Sequence, residues 1–257
     1  MVQKLSCYIL TKNSERYLAQ ILEPLASAID DLLIVDSGST DQTVAIAKKY
    51  GARVLVRPFD NFKSQRNFAL ENCQNNWVLS LDSDEVPNPE FIDQIKNLKL
   101  ADFKYHGQTP DSFGIKRRWI LFGKEVHAFL PCSCPDYPIR IFRKDKVTFG
   151  EGSNEVHETP TGSTLHVVLL EGCIFHYSCD SVFELFNKMN QYTTLAAREM
   201  KKKGRSTSWP DIFIHAFGAW VKWYFRKGGY KDGSVGLLLG IYAGLYTFFK
   251  YLKLKFD

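Results

Sequence analysis

The first hundred residues alternate between two spacings of apolar side chains. Leu5–Leu10 is a short apolar run ending in Thr11-Lys12-Asn13, the pattern of a buried strand entering a loop. Tyr17, Leu18, Ile21, Leu22 and Leu25 then recur at helical spacing. Leu32–Val35 is a second strand, stopped by Asp36-Ser37-Gly38. Ser39-x-x-Gln42 has the form of a capping box opening a helix that carries Val44, Ile46 and Ala47. Gly51 closes that helix. Ala52–Val56 follows as a third strand, Gln65–Asn72 as a helix and Trp77–Leu81 as a fourth strand. Asn88-Pro89 is placed to cap a helix running to about Leu100. Fully apolar strands alternating with helices predict an α/β fold: a Rossmann-like, mostly parallel open sheet with helices on both faces.

From Ala101 to His176 the chain is rich in Gly, Pro, Cys and aromatics, and short runs such as Ile139–Phe142 and Val167–Leu170 are expected to complete the sheet and wall a cleft. Leu185, Met189, Tyr192, Ala196 and Met200 mark an amphipathic helix from Ser181 to Lys203, ended favourably by three lysines and Gly204. Trp209–Phe225 is aromatic and sparsely charged. After Gly228-Gly229, the run Gly233–Phe249 holds 17 consecutive uncharged residues, with Lys250, Lys253 and Lys255 behind it. A spanning helix wants about 20 apolar residues, so an interfacial helix or helical pair is the expectation, and an ordinary packed helix the plainer alternative. The expected division is a body over 1–204 and a basic, aromatic helical tail over 205–257.

Composition narrows the class. Of 257 residues, 45% are hydrophobic and 24% charged, which excludes a disordered, collagenous or polytopic membrane chain. The net charge of +5 is unevenly spread: residues 198–257 carry 12 Lys+Arg against 4 Asp+Glu, or +8, leaving −3 on the rest. Such a tail points to an anionic partner, membrane lipid or nucleic acid. Among six cysteines, Cys132 and Cys134 form a lone C-x-C, and reduced, structural thiols are expected. The N-terminal apolar stretch is too short for a signal peptide, which puts the expected location on the cytoplasmic side, peripheral to the inner membrane.

The densest chemical signal is Leu79-Ser80-Leu81-Asp82-Ser83-Asp84-Glu85, an apolar strand running into three carboxylates. At the carboxyl end of a parallel strand these acids lie where open α/β sheets bind ligands. Hard oxygen donors suit Mg²⁺ or Mn²⁺, which take one or two carboxylates and complete their shell with phosphates; a solvated acidic turn would look the same. Asp36 ends the second strand in the same way, followed by Ser37, Ser39 and Thr40, groups able to hold a nucleoside or to cap a helix. No Gly-rich phosphate loop is present, so Lys63 and Arg66 are the candidates for neutralising phosphates.

Thr11–Asn13, Ile34–Asp41 (IVDSGSTD), Gln65–Leu70 (QRNFAL) and Trp77–Glu85 (WVLSLDSDE) resemble family 2 glycosyltransferases in order and spacing. The resemblance implies a GT-A fold, a nucleotide-diphospho-sugar donor and a divalent metal at the D-x-D motif. Carried onto this sequence, it puts Thr11 and Asp36 at the nucleoside, Asn13 and Ser37 among the donor-binding residues, Asp82 near the ribose or sugar, and Asp84 on the metal. Pro135–Arg143 (PDYPIRIFR), Val156–Glu158 (VHE), Phe175–Ser178 (FHYS), Asn190–Ala197 and the Lys-flanked tail resemble the lipopolysaccharide core β-glucosyltransferase branch. Residues 131–135, Pro-Cys-Ser-Cys-Pro, depart from it on the acceptor side. An inverting transfer needs a carboxylate to take the acceptor proton. Asp136, in its D-Y-x-x-R setting, is the first choice by resemblance and Glu158 the second, with Arg140 steadying phosphates or base and His176 a further metal ligand. UDP-glucose is the implied donor and a lipopolysaccharide-core or other lipid-linked glycan the implied acceptor. The alternatives are a nucleotidyltransferase, which would carry a basic triphosphate loop near Thr11, and a non-catalytic membrane-surface module. The acidic cleft argues against nucleic acid.

Overall fold

The computed structural model describes residues 4–98, 104–105, 107, 109–130, 132–150 and 167–257, and Glu158, with its V-H-E run, lies outside them. The elements run β1 (Leu5–Thr11), α1 (Glu15–Leu25), β2 (Asp31–Asp36), α2 (Thr43–Lys49), β3 (Arg53–Val56) and α3 (Phe62–Asn72). Next come β4 (Trp77–Asp82), β5 (Glu85–Pro87), α4 (Pro89–Asn97), β6 (Ser112–Leu121), β7 (Lys124–Glu125), β8 (Ala128–Phe129) and β9 (Cys132–Ser133). The chain ends in β10 (Ile139–Arg143), β11 (Val167–Cys179), α5 (Val182–Lys202), α6 (Trp209–Val221) and α7 (Gly233–Phe256).

The main sheet has the order β3-β2-β1-β4-β10-β6-β11-β5. The first four strands are parallel, the arrangement the strand–helix alternation predicts, and β10 joins β4 antiparallel. Alternate residues feed opposite faces. Cys7, Ile9, Ile34, Leu79 and Leu81 pack with Leu18, Ile21 and Leu22 of α1 and Phe91 and Ile95 of α4. Tyr8, Leu33, Val35 and Val78 pack instead with Ala69 and Leu70 of α3. Burial on both sides is why these strands are apolar without alternation.

Register positions the site. Thr11 pairs with Asp36 and Leu10 with Asp82, so β1, β2 and β4 end at one level on the carboxyl edge. The strand does not continue through Asp84: β4 stops at Asp82, a turn follows, and β5 starts at Glu85. Asp82 and Asp84 are therefore set by a turn, not by strand periodicity. The expected capping box at Ser39 does not form. α2 starts at Thr43 with Gln42 at its N-cap and no side-chain cap, while the Ser39 hydroxyl accepts from the Asn13 amide at 2.8 Å and donates to Asp36. The expected cap at Asn88 does form, accepting from the Phe91 amide, and Ser181 caps α5 in the same way by accepting from the Glu184 amide.

Two compact units are present, Met1–Arg117 with Tyr137–His176, and Arg118–Asp136 with Tyr177–Asp257. This division differs from the expected boundary at 204: the long helix α5 belongs with α6 and α7. In that second unit Trp119, Phe129, Leu185, Met189, Leu239 and Tyr242 form a core. Gly236, Gly240 and Gly244 line one face of α7. A Cβ at Gly236 would lie 1.7 Å from the Gly229 carbonyl oxygen, and one at Gly240 3.1 Å from Tyr224. The glycines let the backbone preceding α7 approach closely. Gly229–Phe256 is long and apolar enough to cross a membrane, by length and composition.

Candidate active site

Asp36 is buried at the end of β2, and its own chain saturates it. Oδ1 accepts from the Thr11 and Ser39 hydroxyls, the former at 2.8 Å. Oδ2 accepts from the Gly38 and Ser39 amides at 2.9 and 2.8 Å. Burial raises the pKa of this carboxyl, but the Ser39, Thr11 and Gly38 hydrogen bonds outweigh it, and it titrates below the ordinary range. Asp36 thus shapes the loop that follows β2. Asn13, in the left-handed region at φ 50°, reaches the same loop by accepting from the Thr40 amide at 2.9 Å. The Ser37 hydroxyl accepts from Gln65 Nε2 at 3.2 Å. Thr11, Asn13, Asp36 and Ser37 are therefore one hydrogen-bonded cluster at the strand ends. Lys63 lies half-buried in the first turn of α3.

The acids after β4 divide into two kinds. Asp82 takes Arg66 Nη2 on one oxygen at 2.9 Å and Arg140 Nη2 on the other at 2.8 Å. Glu85, 0% exposed, accepts from Arg140 and, at 3.0 Å, from Arg117 Nη1; its second oxygen accepts from the Asp82 amide at 3.2 Å. Burial works against the charged form of both acids, and Arg140 foremost overcomes it, so both carboxyls sit below their usual range. Arg140, expected at the donor phosphates, is buried here and compensated by Asp82 and Glu85. Arg66 is likewise held by Asp82, and its guanidinium lies 5.6 Å from the Phe149 ring centre.

Asp84 is different. Its side chain is 34% exposed, and its Oδ2 lies 3.4 Å from His176 Nε2. His176 is delivered by β11, which pairs antiparallel with β5 so that His176 stands opposite Glu85. Its Nδ1 faces Glu85 Oε1 at 3.6 Å and Arg117 Nη1 at 3.5 Å. Burial lowers the imidazole pKa, but Asp84 and then Glu85 more than reverse this, and it is pushed up to about 9. Arg117 was not apparent among the candidates in the sequence: it sits in a Lys-Arg-Arg run on β6, and only the strand order brings it beside β11.

A divalent cation fits this donor set. Asp84 and His176 offer one hard oxygen and one nitrogen, and diphosphate oxygens and water would complete the shell. Asp82 and Glu85 are already committed to arginines, and among the described residues no group of three or more His, Cys, Asp or Glu is preassembled as a metal cage. Asp136 lies in the second unit, where its Oδ1 accepts from Trp119 Nε1 at 3.0 Å.

The model of the family described as glycosyl transferase family 2 matches residues 6–154, more than half of the chain. The chain belongs to that family. As a glycosyltransferase it is 29% identical to an uncharacterised glycosyltransferase of Rickettsia typhi, over 99% of this chain and 87% of that one. It is 26% identical to the lipopolysaccharide core biosynthesis glycosyltransferase LpsC of Rhizobium meliloti, over 97% of this chain and 91% of the relative. Residues 1–349 of Staphylococcus aureus TarS are similar in structure at a TM-score of 0.45 and 17% identity, covering 97% and 89% of the two chains. That likeness is slight, and the open α/β architecture of this glycosyltransferase rests on its own strand order and the family match.

Proposed function

We propose that this glycosyltransferase moves a sugar, with inversion, from a nucleotide-diphospho-sugar, UDP-glucose foremost, to a lipopolysaccharide-core or other lipid-linked glycan at the cytoplasmic membrane face. The division among the strand-end acids carries this reading: Asp82 and Glu85 are locked to arginines, while Asp84 stands partly exposed beside His176. Asp84 and His176 would hold Mg²⁺ or Mn²⁺, which when bound stabilises the departing diphosphate as a Lewis acid. His176 would hold the ion through its neutral ring, since a protonated imidazole nitrogen has no lone pair to offer a metal. The Thr11–Asn13 and Asp36–Thr40 loops, braced by their own hydrogen bonds, form a stiff ledge for the nucleoside. Arg66, Arg117 and Arg140 keep the acids below it ionised and fixed. Asp136 is assigned as the base for the acceptor hydroxyl, with Glu158 as the second candidate. The 26% identity to LpsC over nearly the whole chain supports a lipopolysaccharide-related acceptor, and the basic tail supports action beside anionic lipid.

The test is a thermal-shift panel of UDP-, GDP- and ADP-sugars with and without Mn²⁺, on wild type and Asp84→Ala, followed by transfer to core oligosaccharide. A metal-dependent shift for one nucleotide class, lost together with transfer in a folded Asp84→Ala, is the expected result. Normal transfer by that variant would overturn the assignment.

A further inference from the structure

In the second unit α6 carries a stripe of large apolar residues that stays about half exposed or more, although Trp209 meets Phe256 and Phe213 meets Phe248 of α7 at ring-centre distances of 5.9 and 5.8 Å. α6 buries Ile212 and turns Ala216, Ala219 and Trp220 partly inward. Trp209, Phe213 and Phe217, spaced i, i+4 and i+8, are 48%, 59% and 65% exposed, with Ile214 beside them at 66%. Single exposed apolar residues are ordinary, but four large ones along one helical stripe form a patch of the kind that meets a partner or a membrane.

Charge selects between those partners. Lys255 Nζ stands 5.8 Å from the Trp209 ring at one end of α6. At the other end Lys222 and Lys227 stand 5.7 and 6.0 Å from the Trp223 ring. The acid on this helix, Asp211, is engaged by Ser208 in the capping box. An aromatic stripe with ammonium groups at both ends matches an anionic bilayer: the rings enter the headgroup–acyl boundary and the lysines meet phosphates. α7 is the longer apolar run in the sequence, yet its Leu239, Tyr242 and Ala243 are buried and its glycine face is packed against Gly229 and Tyr224.

We propose that α6, through Trp209, Phe213, Ile214 and Phe217, is the face on which this enzyme docks to an anionic bilayer, with α7 as its internal support. The inference rests on the membrane-face reading above and names the docking surface within it. It assigns to α6 the role that hydropathy gives to residues 233–249.

The experiment is flotation of the full chain with vesicles of phosphatidylcholine alone or with 30% phosphatidylglycerol (about a physiological anionic fraction), at low and high salt. The variants are a Phe213→Ser, Ile214→Ser, Phe217→Ser triple and a Leu237→Ser, Ile241→Ser pair on the exposed side of α7. The wild type should float with anionic vesicles and release in salt. The triple variant should bind at least about tenfold more weakly while keeping its melting temperature and its donor hydrolysis in solution, and the α7 pair should bind as wild type. A triple variant that floats normally, or an α7 pair that does not float, overturns the assignment of the face while leaving the membrane reading intact. No flotation of wild type removes the membrane reading itself. A micromolar wild-type dimer that the triple variant dissociates, without flotation, assigns the face to a second copy and also overturns the proposal.

Discussion

Replacing Glu85 by Gln keeps the shape of the side chain and removes its charge. Glu85 is wholly buried, accepts from Arg117 and Arg140, faces His176, and ties the Asp82 amide to the turn. With the charge gone, three arginines and a protonated imidazole share the two remaining acids, Asp82 and Asp84. Removing one partner of a buried ion pair costs about 3–5 kcal/mol, because the other charge is left uncompensated. For chains of this size each kcal/mol lowers Tm by about 2–4 °C, so a fall of about 6–20 °C is expected. Asp84→Asn is the contrast. Its side chain is 34% exposed, its partner lies at 3.4 Å and Asn keeps an acceptor for that contact, so the loss should be smaller, about 1–2 kcal/mol. Thermal and urea unfolding followed by tryptophan fluorescence measures both. A Glu85→Gln protein within about 2 °C of wild type, well below the range above, would refute the view that this acid is structural and Asp84 is the one reserved for ligand.

Gly236→Ala places a Cβ 1.7 Å from the Gly229 carbonyl oxygen and should cost at least about 1–3 kcal/mol, whereas Gly218→Ala, with nothing within 4 Å of its Cβ, should stabilise α6 by about 0.5–1 kcal/mol; urea midpoints at constant slope decide both. Asp31 opens β2 buried, and although burial raises its pKa, bonds from Arg53, the Gln74 amide and Ser6 bring it below the ordinary value. The stability it contributes is therefore present above its unfolded pKa of about 3.9 and lost as pH falls through the lower folded value. Wild type should exceed Asp31→Asn by about 1.5–3 kcal/mol at pH 7, with the gap closing below about pH 4; a gap independent of pH would refute the ionised role.

The first half of the fold was legible because it is local. Buried parallel strands declare themselves as apolar runs, and Asn88, Gly51 and Ser181 mark helix ends by their own backbone preferences. The strand-end acids were legible for the same reason: a carboxylate directly after an apolar run must leave the core. What was hidden depends on pairing between distant segments. Nothing near His176 in the chain says that β11 lies against β5, and nothing near Arg117 says that it will meet Glu85. Competition between partners is equally invisible. Ser39 has the spacing of a cap, but its hydroxyl oxygen accepts from the Asn13 amide, a partner 26 residues away in the chain. Arg140 looks available for phosphate until Asp82 and Glu85 are placed beside it. In the tail, composition marks 233–249 as one uniformly apolar run, and only the close approaches at Gly236, Gly240 and Gly244 show which of its faces packs inward.

The measurement that bears most directly on the site is Mn²⁺ titration in the presence of UDP, read from the electron paramagnetic resonance signal of the free ion, on wild type, Asp84→Asn and His176→Asn. Two-ligand binding by Asp84 and His176 predicts one site in wild type and at least about tenfold weaker binding in either folded variant, the loss typical when a metal's supporting group is removed. Wild-type affinity in Asp84→Asn would contradict the account.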